Sequence, residues 1–202
     1  MNKIIKNTVI LFIITLVAGF CLGAVHDITL EPIRKAQEAA ATATYQEVNP
    51  DAASFEKTQV LTDAVSACAE EISAQGFGKV TVNDAQQALD ASGNVIGYLI
   101  TSTSSESYGG DVQIAVGITS EGTLTGIGFL SISDTPGLGM NAKEPAFKDQ
   151  YIGKNAELLE VTKTAPTADN QIQSISGATI TSSAVTNATN AAVYFVNNCI
   201  AK

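Results

Sequence analysis

Hydrophobic residues fall along this chain in three regimes. Residues 8–25 are almost continuously apolar, dominated by Val9, Ile10, Leu11, Phe12, Ile13, Ile14, Leu16 and Val17. A helix of about 19 residues reaches roughly 28 Å at 1.5 Å per residue, close to the hydrocarbon thickness of a bilayer. Residues 29–44 and 57–74 are rich in Ala, Gln and Glu, and Val60, Ala64, Ala67 and Cys68 recur at helical spacing. Thr29 and Pro32 supply start signals for the first of these helices, and Gly76-Phe77-Gly78 ends the second.

The period then changes to two. Residues 80–82, 95–101, 112–118 and 124–132 alternate or run apolar, separated by the turns Ser92-Gly93-Asn94, Gly109-Gly110 and Glu121-Gly122. Strands joined by such short turns predict an antiparallel sheet. A short helix over 144–151, strands over 158–162 and 171–175, and a last helix from about Ala184 complete the pattern. That helix places Val185, Ala188, Ala192, Phe195 and Cys199 on one apolar face, with Ser182 and Ser183 as caps. The fold class is α+β: a single N-terminal transmembrane helix, then an extracytoplasmic domain with an antiparallel sheet and flanking helices. Three segments are expected: N-terminus and anchor (1–28), helical linker and packing helices (29–78), and a C-terminal binding domain (79–202).

Charge gives the orientation. Lys3 and Lys6 precede the apolar stretch, while His26, Asp27 and Glu31 follow it, so the N-terminus is expected in the cytoplasm. A cleaved signal peptide shares this plan, but Leu22 spoils the small-x-small cleavage pattern ending at Ala24, so a retained anchor is expected. Eleven basic against twenty acidic residues leave a net charge of −9 and no basic stripe, which argues against nucleic-acid binding. One histidine and three cysteines offer no ligand set for zinc or an iron–sulfur centre. Cys68 and Cys199 lie where a disulfide is permitted, yet their Ala-rich helical surroundings favour buried free thiols.

The candidate chemistry sits near the C-terminus, at Ser176-Gly177-Ala178-Thr179-Ile180-Thr181-Ser182. A phosphoester needs an exposed aliphatic hydroxyl, a glycine lets a bulky group approach, and a helix start favours the phosphate charge. This stretch resembles the S-G-A-T attachment motif of the FMN-binding family, found in the G subunit of Rnf complexes and the C subunit of the sodium-pumping quinone reductase. Thr29-Leu30-Glu31-Pro32-Ile33 resembles the family's membrane exit. Tyr108-Gly109-Gly110, with Ile114-Ala115-Val116-Gly117-Ile118, resembles its glycine turn and hairpin. Asp134-Thr135-Pro136-Gly137-Leu138-Gly139 resembles its T-P-G-L-G loop, with Asp134 where the family usually has Glu; Gln173 stands where an Asp usually precedes the attachment motif.

The resemblance implies FMN joined through its phosphate to Thr179, with Thr181 as a competing hydroxyl. It implies a cofactor site of Ser176, Gly177, Ala178, Thr179, Thr181, Tyr108, Thr135, Pro136, Gly137, Leu138 and Gly139. No catalytic residue and no metal ligand is expected on this chain alone. It further implies an electron-transfer subunit of a membrane-bound, ion-translocating ferredoxin:NAD oxidoreductase, partnered by the other subunits and matured by a flavin transferase. The alternatives are a C-type quinone-reductase subunit, a membrane-anchored extracytoplasmic flavin reductase or sensor, and a pilin-like structural module. The charge asymmetry makes one prediction directly: protease added to intact spheroplasts digests the C-terminal domain. Protection that is lost only on lysis would reverse the orientation.

Overall fold

The computed structural model describes residues 2–200. One helix, α1 (Lys3–Val48), carries the apolar stretch and is long and apolar enough to cross a membrane. It runs on through Pro32, where the sequence suggests a separate helix start. A single proline forfeits one backbone bond. The neighbouring residues still support the helix: Thr29 Oγ1 donates to Val25 O at 2.8 Å, and Arg34 pairs with Glu31 and Glu38. The chain forms two compact units, one ending at Thr42 and one beginning at Ala43.

The second unit is built on a five-stranded antiparallel sheet whose order follows the sequence: β1 (Ser54–Glu56), β2 (Val80–Leu89), β3 (Val95–Ser107), β4 (Gly110–Thr119) and β5 (Leu124–Ile132). Period-two alternation divides the sheet between two apolar clusters. On β4, Val112, Ile114, Val116 and Ile118 enter the main core, whereas Ala115 joins Leu99 and Val48 in a smaller one. The strands β2 and β3 run well past their apolar stretches, because each polar end pairs with the other strand's apolar stretch: Ser104 lies opposite Val80, and Gln87 opposite Tyr98. After β5 come a short helix α3 (Pro145–Lys148) and two small strands, β6 (Glu160–Thr162) and β7 (Gln171–Gln173), which pair in parallel.

Helix α4 (Thr179–Phe195) begins five residues earlier than Ala184, and Ser182 does not cap it. Ser182 Oγ instead accepts from Ile175 N and donates to Ala178 O, both at 3.0 Å, which ties the turn after β7 to the first helical turn. Val185, Ala188, Ala192 and Phe195 are buried as their spacing predicts, but so are Thr186, Thr189 and Asn190. A buried polar group is tolerated when it is hydrogen-bonded. Thr186 and Thr189 donate to the carbonyls one turn back, Tyr151 Oη lies 2.8 Å from Thr186 Oγ1, and Asn190 bonds both backbone groups of Leu159. Burial pushes the Tyr151 phenol well above the ordinary tyrosine range.

Helix α2 (Gln59–Ser73) is capped by Thr58, whose hydroxyl accepts from Leu61 N. It packs beside the end of α4 and the π-turn Val196–Ile200 that follows. This packing corrects the expectation of free thiols. Cys68 and Cys199 are joined in a disulfide with Cα atoms 6.3 Å apart. Neither the helix propensity around each cysteine nor its local apolar pattern reports a partner 131 residues away. A cross-link over so long a loop removes much of the unfolded chain's freedom and is worth about 2–4 kcal/mol. Denaturant unfolding of the full chain in detergent should therefore shift to lower concentration with reductant or in Cys199→Ser. Coincident curves would show that the cross-link contributes nothing.

Candidate functional site

Three segments far apart in sequence meet at one end of the sheet. The first is the hairpin between β3 and β4, with Tyr108 and Gly109 at its tip. The second is the loop leaving β5, residues 134–139. Pro136 and Gly137 form the centre of a turn closed by Leu138 N donating to Thr135 O at 3.1 Å. The third joins β7 to α4: Ala178 N donates to Ile175 O at 3.0 Å across Ser176 and Gly177. Gly177 adopts φ +75°, the left-handed conformation that the third position of such a turn requires.

Asp134 holds the three together. Its side chain is buried, at 6 % relative exposure. Oδ2 accepts from Ser107 Oγ at the hairpin and from Thr181 Oγ1, 2.8 Å away, in the first turn of α4. Charge-assisted bonds of this kind are among the stronger ones available to a side chain. Gly139 is the reason the loop can wrap so closely. A Cβ there would lie 2.5 Å from Asp134 Cγ and 2.7 Å from Thr181 Oγ1, so any side chain would force them apart.

Between these segments lies a cleft of about 510 Å³, within the size range of small-molecule sites. It is lined by Tyr108, Asp134, Thr135, Leu138, Gly139 and the run from Gly177 to Thr181. Its rim carries apolar side chains left open to solvent: Tyr108 at 73 % exposure, Ile180 at 56 % and Leu138 at 43 %. Together they offer an aromatic and aliphatic border suited to a flat, partly apolar ligand.

Most residues singled out from the sequence meet here. Tyr108, Thr135, Leu138, Gly139, Gly177, Ala178, Thr179 and Thr181 line the cleft, while Ser176, Pro136 and Gly137 shape the turns behind it. The two threonines differ sharply. Thr181 is buried and its hydroxyl is committed to Asp134. Thr179 is half-exposed at the first position of α4, and its hydroxyl bonds to no described residue. No side chain caps this helix, so its first N–H groups remain available to an anion. Ser107 and Ile180 join the site without having been expected there. An isolated Ser at a strand end carries no local signal, whereas Ile180, apolar and directly beside Thr179, carries one in its position.

The arrangement suits a phosphorylated flavin. The open hydroxyl and uncapped helix end match a phosphate, and the rim matches the ring. A buried carboxylate oxygen with no partner among the described residues, Asp134 Oδ1, offers an acceptor. Comparison with known proteins agrees. Residues 107–194 match the FMN-binding domain family. The chain is 34 % identical, over 96 % of its own length and 92 % of the relative's, to the G subunit of the Na(+)-translocating ferredoxin:NAD(+) oxidoreductase complex of Acetobacterium woodii. It is 33 % identical, over 75 % of its length and 79 % of the relative's, to the proton-translocating counterpart of Clostridium ljungdahlii. The crystal structure of Shewanella oneidensis NqrC shares the fold, with a TM-score of 0.50 at 15 % identity, covering 77 % of this chain and 74 % of that one. With nearly its whole length matched to one such subunit and an FMN-binding domain in its second half, this chain belongs to the family of G subunits of ion-translocating oxidoreductase complexes.

Proposed function

We propose that this chain is the electron-transfer subunit of a membrane-bound, ion-translocating ferredoxin:NAD oxidoreductase complex and that it carries FMN joined through phosphate to Thr179. The observation that carries the attachment is the contrast between the two threonines of the α4 start. A phosphoester forms on a hydroxyl that a transferase can reach. Thr179 offers one beside an uncapped helix end, whereas Thr181 has spent its hydroxyl on Asp134.

The isoalloxazine ring, when bound, supplies the redox chemistry. The chain supplies position. The uncapped first N–H groups of α4 would receive the phosphate charge, which the helix dipole favours there. Tyr108, Leu138 and Ile180, which line the cleft or its rim, would border the ring and shield part of it from water. The open mouth of the cleft leaves an edge accessible to a redox partner, which suits a relay better than an enclosed substrate pocket. Helix α1 anchors the chain as a single membrane span. With Lys3 and Lys6 on the cytoplasmic side, the FMN domain is extracytoplasmic, where a cofactor bound without a covalent link would be lost to the surroundings. The other subunits of the complex and a flavin transferase are the partners this reading requires.

Coexpressed with a flavin transferase, the wild-type chain should give a fluorescent band on a denaturing gel. Thr179→Ala should lose it entirely and stay folded, since that hydroxyl bonds to no described residue. Thr181→Ala should keep the band but lose about 1–3 kcal/mol of stability, because a buried acceptor loses a donor. A band that survives in Thr179→Ala and vanishes in Thr181→Ala would overturn the assignment.

A further inference from the structure

Two buried side-chain polar atoms lack a hydrogen-bond partner among the described residues: Asn49 Nδ2 and Asp134 Oδ1. The second belongs to a residue that lines the cleft. A carboxylate oxygen taken out of water without a donor is costly, and native structures seldom leave one so. The rest of Asp134 is heavily provided for: two hydroxyls, from Ser107 and Thr181, converge on Oδ2, and Gly139 clears the space that lets the loop close around the carboxylate. One oxygen is fixed by the protein; the other, shielded from bulk solvent, has no donor among the described residues and belongs to a side chain at the wall of the ligand cavity.

We propose that Asp134 Oδ1 is the acceptor for an N–H or O–H donor of the bound flavin, which makes Asp134 a cofactor-contacting residue that sets both ring position and redox balance. This rests on the reading of the cleft as the flavin site. Flavins offer such donors in the ring imide N–H and the ribityl hydroxyls, and either can donate to a carboxylate oxygen. The carboxylate also places a negative charge beside a ring that gains electron density on reduction, and like charge opposes that gain. Asp134 is the only carboxylate among the described residues that line the cleft, and no Lys, Arg or His lines it to cancel the effect.

Asp134→Asn tests this in the full chain in detergent, prepared with and without coexpressed flavin transferase. Its carbonyl can still accept from Ser107 and Thr181, while its amide turns the unpartnered acceptor into a donor. Without flavin, the variant should melt at or above the wild-type temperature, because an unsatisfied buried acceptor has gone. With flavin, its gain in melting temperature on loading should shrink. Redox titration should favour reduced flavin by tenfold or more in the reduced-to-oxidised ratio, about 30 mV upward for a two-electron couple. Asp134→Glu, which keeps the charge and the acceptor, should hold the wild-type potential and serves as the second variant should Asn prevent folding. A wild-type chain without flavin sinks the reading of the cleft itself. A flavin-bearing wild type matched by Asp134→Asn in potential and loading gain overturns this assignment alone, leaving Asp134 as a structural clamp.

Discussion

A single carboxylate decides how the end of this domain is assembled. Asp134 is bonded to Ser107, 27 residues before it, and to Thr181, 47 residues after it. Burying a charged group without partners costs far more than any one loop contact returns. The hairpin tip, the proline-glycine loop and the start of α4 must therefore converge together or leave that charge stranded. Gly139 then has its explanation, since the space a methyl group would occupy already belongs to Asp134 and Thr181.

The same constraint sorts the two hydroxyls of the α4 start. Thr179 and Thr181 are two residues apart and carry the same hydroxyl, so their chemistry alone does not separate them as acceptors. A tertiary contact does. Once Asp134 takes Thr181, Thr179 is the one of the two whose hydroxyl bonds to no described residue. The proposed attachment is then selective without a dedicated recognition pocket on this chain. Such division of labour lets one short motif both bear a cofactor and brace the wall behind it.

How much of this is legible in the sequence follows from how local each feature is. The strand β5 lies over 124–132, as its pattern predicts, because alternation and flanking turns are written within the segment. The Pro136-Gly137 turn and the Gly177 turn are legible for the same reason. Features that depend on distant partners are not. The polar ends of β2 and β3 are strand only because the apolar stretch of the other strand supplies their backbone partners. Thr186, Thr189 and Asn190 look like a solvent face, yet back-bonding and Leu159 satisfy them inside the core. Ser182 resembles a cap and so moves the expected start of α4 too late, while its hydroxyl in fact serves Ile175. Ser107 gains its meaning only from Asp134 beside it.

The bond between Cys68 and Cys199 closes a covalent ring, and Ser107, Asp134 and Thr179 all lie on the stretch of chain inside it. A protease that cuts once in any of the exposed loops around the cleft therefore cannot release a fragment; the two pieces stay linked, and the segment carrying Thr179 stays with the anchor. The ring also sets an order of events. Cys199 is synthesised after every wall of the cleft, so the ring closes only once all of them exist. Up to that moment the site is held by packing and hydrogen bonds alone; afterwards its assembly is sealed.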